Sequence, residues 1–269
     1  MRHATEIGRR ARLELVFAYR RGRTVLAHAY AEPPWRVGRL HDAGGIAHLI
    51  LVCAGPGVFA GDHLEQHVRV ESGARVLLVS QSALQVRPAA SGRPACLDAS
   101  YTIEEGGLLD GVFDPLIPFA GARLRQRIDL QVDPGAQLFW SDALMSGRAG
   151  SGEAWRFETL DHELRLSVGG RLQYLDRSVV SPRSVDPTHP WRAGGANYLG
   201  TAILHADTAD AVRAESAQHR LEAIAGLRAG VDCLAPHLVV ARLLAERGPQ
   251  FAAGRALLRE TFERPVPRR

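Results

Sequence analysis

The chain has 269 residues, 46% of them hydrophobic and 23% charged, enough to bury one large core or two modest ones, with a formal net charge of +4. All 33 basic residues are arginine, which excludes a P-loop lysine, a Schiff base and a pyridoxal phosphate attachment. Cys53, Cys96 and Cys233 are odd in number and far apart, which argues against a disulfide framework or a zinc ribbon and for a reducing cytoplasm.

The start of the chain carries Arg2, Arg9, Arg10 and Arg12, but Glu14 and the pair Arg20-Arg21 break the apolar run that follows, so it reads as no signal peptide. No later apolar run approaches the length of a membrane span. The arginines alternate with Asp and Glu instead of gathering, which favours a protein partner with an acidic face over nucleic acid or a membrane.

Through residues 1–185 apolar side chains alternate with a period near two, as at Leu64, Val68 and Val70, with Gly or Pro between the runs. One turn recurs: Val70-Glu71-Ser72-Gly73, Ile103-Glu104-Glu105-Gly106, Val132-Asp133-Pro134-Gly135 and Leu166-Ser167-Val168-Gly169 each lead into another apolar strand. Their glycines lie 33, 29 and 34 residues apart. A repeat of this kind is what stacked β units produce, each burying its apolar face on the next; an ordinary antiparallel sheet protein also needs glycine turns at such intervals. Both readings give a β-rich body, and neither gives a parallel sheet crossed by helices.

Several motifs imitate chemistry. Gly55-Pro56-Gly57-Val58-Phe59-Ala60 follows an apolar run as a dinucleotide fingerprint would, but the next residues alternate like a strand where a phosphate-holding helix is required. Gly150-Ser151-Gly152 lacks the outer glycines of a nucleophile elbow and reads as a turn. His63 and His67 are four apart, which on a strand separates them by roughly 13 Å, too far to chelate one ion.

Composition changes after Pro182. Residues 181–197 read as a loop; 209–227 then read as a helix with Val212, Ala217, Leu221, Ile224 and Leu227 on one face and Gly230 as its stop. A strand over 238–244 and a last helix over 249–262 follow. The expected fold is mainly β: a layered or stacked body over 1–185, with a smaller α/β part of about two helices over 186–269 packed on it.

Three segments resemble the signature segments of the UreD (UreH) family of urease accessory proteins. They are Pro56-Gly57-Val58-Phe59-Ala60-Gly61-Asp62; Asp114-Pro115-Leu116-Ile117-Pro118-Phe119-Ala120-Gly121-Ala122; and Gly147-Arg148 followed by Gly152-Glu153-Ala154-Trp155-Arg156-Phe157. The likeness spans roughly residues 10–185 and continues weakly beyond. Gln81 is kept, whereas Gln85-Val86-Arg87-Pro88 departs from the basic and aromatic pattern usual there, which bears on partner specificity. The resemblance implies a cytoplasmic, non-catalytic scaffold with a β-rich fold. It implies binding to apo-urease and, through a helical accessory protein of the UreF type, to a nickel-carrying GTPase of the UreG type. Nickel(II) would pass transiently through a polar internal route, with no tightly bound cofactor.

A route that delivers nickel needs sparse, weak ligands, because nitrogen- and sulfur-rich sites would trap the ion. Carboxylates flanked by Gly and apolar residues suit this: Asp62, Asp114, Asp142 and Glu153 are the candidates, with Cys53 and His63 behind them. Each has a structural alternative, such as a turn start for Asp114 or a salt bridge of Glu153 with Arg148. Gly57, Gly61, Pro115, Pro118, Gly121, Arg148, Gly152 and Trp155 are expected to shape the framework or partner surface, and the helix over 249–262 to dock a partner or cap the sheet. Two other readings stand beside this one: a dinucleotide-dependent oxidoreductase using the Gly55 turn, and a self-stacking structural β protein.

Overall fold

The computed structural model describes residues 8–262. Residues 1–7, with Arg2 of the basic start, and 263–269, the end of the expected C-terminal part, lie outside the described residues.

The chain opens with a hairpin, β1 (Arg10–Arg20) and β2 (Arg23–Ala31), followed by the short strands β3 (Trp35–Val37) and β4 (His41–Asp42) and then β5 (Ala47–Cys53). Three similar passages come next: β6 (His63–Val70), β7 (Arg75–Ser80) and β8 (Leu84–Val86); β9 (Ala95–Ile103), β10 (Leu108–Val112) and β11 (Leu116–Pro118); β12 (Arg123–Val132) and β13 (Gln137–Met145). A second hairpin, β14 (Thr159–Val168) and β15 (Arg171–Val180), precedes β16 (Tyr198–His205), α1 (Ala211–Glu222), β17 (Leu227–Ala235), β18 (Leu238–Ala245) and α2 (Gly248–Phe262).

Two sheets result. The first runs β15-β14-β12-β9-β6-β1-β2 and the second β17-β18-β16-β13-β10-β7-β5-β3. Within each, the repeated strands are parallel: β6, β9, β12 and β14 in the first, and β5, β7, β10 and β13 in the second. The recurring glycine turn carries the chain from the first sheet to the second, so the repeat is a stack of coils, and no helix crosses either sheet.

The turn chemistry explains the stack. Gly73, Gly106 and Gly135 have φ of 72°, 70° and 79°, the left-handed value that a four-residue turn needs at its third position and that glycine adopts without a Cβ penalty. Each turn closes through the same bond, from the N–H of Ala74, Gly107 and Ala136 to the carbonyl of Glu71, Glu104 and Asp133. Successive turns are also bonded to one another: Glu104 N–H donates to Val70 O at 2.9 Å and Asp133 N–H to Ile103 O at 2.8 Å.

The fourth turn differs from the other three. Gly169 and Gly170 both have positive φ, 55° and 76°, the geometry of a two-residue hairpin loop, so β15 folds back beside β14 instead of crossing to the second sheet. Arg21 and Gly22, at 51° and 81°, reverse the chain in the same way between β1 and β2. The first sheet is therefore closed at both ends by hairpins.

Side chains from both sheets meet in two apolar layers. Near the glycine turns Phe17, Val70, Ile103, Val132 and Leu166 pack against Val76, Leu109, Leu138 and Val240. Near the loops at the other flank Leu64, Leu97, Leu124, Leu160 and Phe157 form a second layer with Val58, Val86 and Leu116. A third cluster lies outside, where α1 and α2 cover the second sheet through Ala214, Ala217, Leu221, Phe251 and Leu258.

The C-terminal reading needs two corrections. Helix α1 ends at Glu222, not at Leu227, because Gly226 (φ 76°) reverses the chain there; Gly230 then lies within β17, a strand the periodicity did not reveal. Val212, assigned to the apolar face, is 75% exposed, since the buried face runs Ala214, Ala217 and Leu221.

The glycine of the decoy motif acts as a packing device. A Cβ on Gly57 (φ 108°) would stand 2.3 Å from the Gln85 carbonyl oxygen, whereas one on Gly22 would meet nothing within 4 Å. Gly57→Ala is expected to lower unfolding stability by about 2 kcal/mol or more, and Gly22→Ala by about 1 kcal/mol. Thermal unfolding of both variants checks this; equal losses would mean that backbone conformation alone sets the cost.

Candidate functional site

Between the two apolar layers the inward positions become polar. In the first sheet Gln66 lies between Leu64 and Val68, Gln126 between Leu124 and Ile128, and His162 between Leu160 and Leu164. Parallel pairing of β12 with β14 sets Gln126 beside His162, and antiparallel pairing of β14 with β15 sets His162 beside Ser178, while Asp176 pairs with Leu164 one row away. In the second sheet Asp142, Thr201 and Arg242 form a single row across β13, β16 and β18.

These residues border a cavity of about 420 Å³ whose lining runs from Trp35, Cys53 and Gln66 near one end of the stack to Asp176, Ser178 and Arg242 near the other. Tyr101, Phe113 and Trp140 form an aromatic wall along it, with the Tyr101 and Trp140 rings 4.7 Å apart and edge-on. The Gln66 amide donates to the Tyr101 hydroxyl, whose pKa burial pushes upward.

Asp142 is the most constrained charge in the cavity. One of its oxygens, Oδ2, is buried with no hydrogen-bond partner. Burial raises its pKa, only partly opposed by the charge of His162 and by the nearby Trp140 indole, and Asp176 adds to the rise. His162 bonds Gln126 Oε1 through Nδ1 at 3.0 Å and lies 4.0 Å from Asp176 through Nε2. Asp176 is held by Arg242 at 2.7 Å, and Arg242 also donates to Thr201 Oγ1 at 3.0 Å and to the Tyr174 hydroxyl at 2.8 Å.

Among the sequence candidates, the cavity brings together Asp114 and Asp142, with Cys53 on the same lining. Asp114 lies 3.9 Å from the Arg255 guanidinium of α2, and its backbone N–H donates to Ser80 Oγ at 2.7 Å. Burial pushes the Cys53 thiol up to about 11, so it keeps its proton at neutral pH. Asp62 lies apart from this lining. Its carboxylate accepts the N–H groups of Arg9 at 2.8 Å and Phe59 at 2.9 Å and pairs with the Arg9 guanidinium at 3.7 Å, so it ties a loop to the start of the chain. His63 stands on the outer face of the first sheet, 2.6 Å from Asp98.

Glu153 also stands apart, in a bidentate pair with Arg148 that lowers its pKa, with a further bond from Ala120 N–H at 3.3 Å. It belongs to a second structure, the loop flank, where all three signature segments converge. Val58 bridges Val86, β8 pairs β11 up to Pro118, which follows Pro115, and Gly121 N–H donates to Arg156 O at 2.9 Å. A Cβ on Gly147 would lie 2.5 Å from the Glu153 carbonyl oxygen and 3.1 Å from that of Pro118. Gly61, Gly121 and Gly152 all take positive φ, and so does Trp155 at 59°, whose N–H donates to Ser146 O at 2.6 Å. The Phe119 ring is stacked between the guanidinium groups of Arg87, at 4.5 Å, and Arg148, at 4.2 Å.

Reasoning from the sequence missed Gln66, Gln126, His162, Asp176 and Arg242. Their signal was available: each is a polar residue at an inward position of a period-two strand, where burial requires a partner. Among the described residues no group of three or more His, Cys, Asp or Glu is arranged to hold a metal ion, and no helix is long and apolar enough to cross a membrane.

Residues 9–268 match the sequence profile described as UreD urease accessory protein. The chain is 36% identical over 203 residues to the urease accessory protein UreD of Sorangium cellulosum, covering 74% of this chain and 63% of that protein. It is 32% identical to UreD of Cupriavidus necator over 94% of this chain and 88% of that one, and 32% identical to UreD of Deinococcus radiodurans over 94% and 91%.

Because its raised pKa lets the folded state keep the Asp142 proton to higher pH than the unfolded chain does, stability should fall as pH rises from the ordinary carboxylate range through the raised value. Asp142→Asn removes that loss. Its melting temperature should decline less than the wild type's between pH 5 and pH 8; parallel declines would show that Asp142 is not the group responsible.

Proposed function

This chain belongs to the UreD family of urease accessory proteins, and on that premise we propose that it is a maturation scaffold whose internal cavity passes nickel to apo-urease. The ion arrives from a nickel-binding GTPase of the UreG type, joined through a helical accessory protein of the UreF type. The protein carries out no reaction of its own.

One observation carries this reading: the carboxyl group of Asp142, one of whose oxygens is buried without a hydrogen-bond partner, in a cavity whose lining extends along the stack. Ionising a carboxyl so placed is costly, and a passing cation that replaces its proton offsets that cost. The donors on the lining are mostly oxygen: the carboxylates of Asp98, Asp114, Asp142 and Asp176, beside the single imidazole of His162 and the Cys53 thiol, which burial keeps protonated. Nickel prefers nitrogen and sulfur, so such a set holds it weakly enough to release it. Gln66, Gln126, Thr201 and Ser178 supply neutral oxygens between the charges.

The rest of the molecule supports the scaffold part. Arg87, Phe119 and Arg148 form a stiff cationic and aromatic feature on the loop flank, suited to an acidic partner face. Helix α2 packs Phe251 and Leu258 onto the second sheet, which leaves its opposite side for docking.

The test is urease activity and nickel content in cells carrying the urease genes, with this gene deleted, restored, or restored as Asp142→Ala or Ala99→Phe, the latter filling the cavity from β9. Deletion should leave an assembled, nickel-free urease. Both variants should copurify with their partners yet cut nickel loading at least several-fold. Full activity without the gene would overturn the assignment, and full loading by both variants would overturn the route.

A further inference from the structure

We propose that Arg242 is a displaceable counter-cation that stops the β15 end of the cavity, its guanidinium occupying at rest the carboxylate that a divalent cation must take. The inference rests on the nickel route proposed above and adds to it a residue that controls occupancy.

The polar groups at this end are arranged by depth. The Arg242 side chain is 51% exposed, Asp176 11% and His162 14%, while the unpartnered Asp142 oxygen is wholly buried. Arg242 thus stands at the rim and Asp176 just inside it. The row across β13, β16 and β18 points Arg242 and Asp142 into the same space, and the Arg242 charge opposes part of the rise in the Asp142 pKa.

The bonds of Arg242 are those of a plug more than of a buried strut. It has one ionic partner, Asp176 at 2.7 Å, while its other two acceptors are the neutral hydroxyls of Thr201 and Tyr174. A half-exposed guanidinium can turn into water without leaving a void, because its stem stays on the sheet and its head is already partly solvated. Arginine does not lose its proton in proteins, so raising the pH does not release it; another cation at Asp176, or another anion for Arg242, does so. While it stays, the end of the cavity is charge-balanced and a second cation is repelled. When a divalent ion takes Asp176 Oδ2, the oxygen that Arg242 holds, the guanidinium must leave. No bond is made or broken beyond this exchange of ion pairs.

A purely structural bridge between the sheets would behave differently on removal: stability would fall and metal affinity would not change. The purified full chain is titrated with nickel chloride and binding read by calorimetry. Arg242→Gln should bind one nickel at least tenfold more tightly than wild type, Arg242→Lys should stay near wild type, and Arg242→Gln combined with Asp176→Asn should lose the gain. Unchanged affinity in folded Arg242→Gln would overturn the proposal.

A second measurement needs no variant. Phenylglyoxal labelling of the wild type, read by mass spectrometry, should rise at Arg242 as nickel is added and not at arginines remote from the cavity; a flat profile would also overturn it. If the gene is required for urease and Asp142→Ala impairs loading while Arg242 responds in neither experiment, the stop alone fails. If urease matures without the gene, the route itself fails.

Discussion

The hydrogen bonds from one glycine turn to the next hold the rest of the structure in place. Once Glu104 N–H is fixed on Val70 O and Asp133 N–H on Ile103 O, every strand in the stack is in register with its neighbour, and equivalent positions become continuous rows through the molecule. A row can be apolar throughout, as at Val70, Ile103 and Val132, polar throughout, as at Asp142, Thr201 and Arg242, or mixed, as at Gln66, Ala99, Ile128, Leu164 and Asp176. The cavity is the consequence. Two apolar layers clamp the sheets together, and the rows between them carry side chains that do not pack tightly and that demand partners.

This arrangement also explains why the carboxylates proposed from the sequence divide as they do. Asp62 and Glu153 lie in the loops that close the coils, where their oxygens are fully used by backbone N–H groups and by Arg9 and Arg148. Asp114 and Asp142 lie on the second sheet or at its edge and border the cavity. The common sequence setting, a carboxylate among glycine and apolar residues, describes both environments, since a tight loop and a buried strand are each poor in other polar groups.

The β-rich body, the spacing of the turns and the last helix were legible because they depend on local rules: alternation, glycine at positive φ and a run of helix-forming residues. The fourth turn was not, because a Gly-Gly pair also follows Ile103 at a turn that crosses, and only the positive φ of both Gly169 and Gly170 makes the hairpin. Strand β17 was hidden by the preceding helix, whose apolar spacing runs on through Ile224 and Leu227 into the strand. The polar lining was hidden for a different reason. Asp114 and Asp142 were proposed from the sequence, but Gln66, Gln126, His162, Asp176 and Arg242 are far apart in the chain, and nothing short of the register of two sheets brings them to one place.

The two flanks of the stack differ in how much change they can absorb. On one flank the coils are joined by four-residue turns, each bonded to the next, where an added residue would shift a whole row out of alignment. On the other the connections are long and cross one another through Gly57, Gly121 and Gly147. Changes in length therefore have only one flank on which to accumulate. The turn flank serves as a rigid spine, and an inserted tag or fused domain would disturb the interior least in the long connections of the other flank.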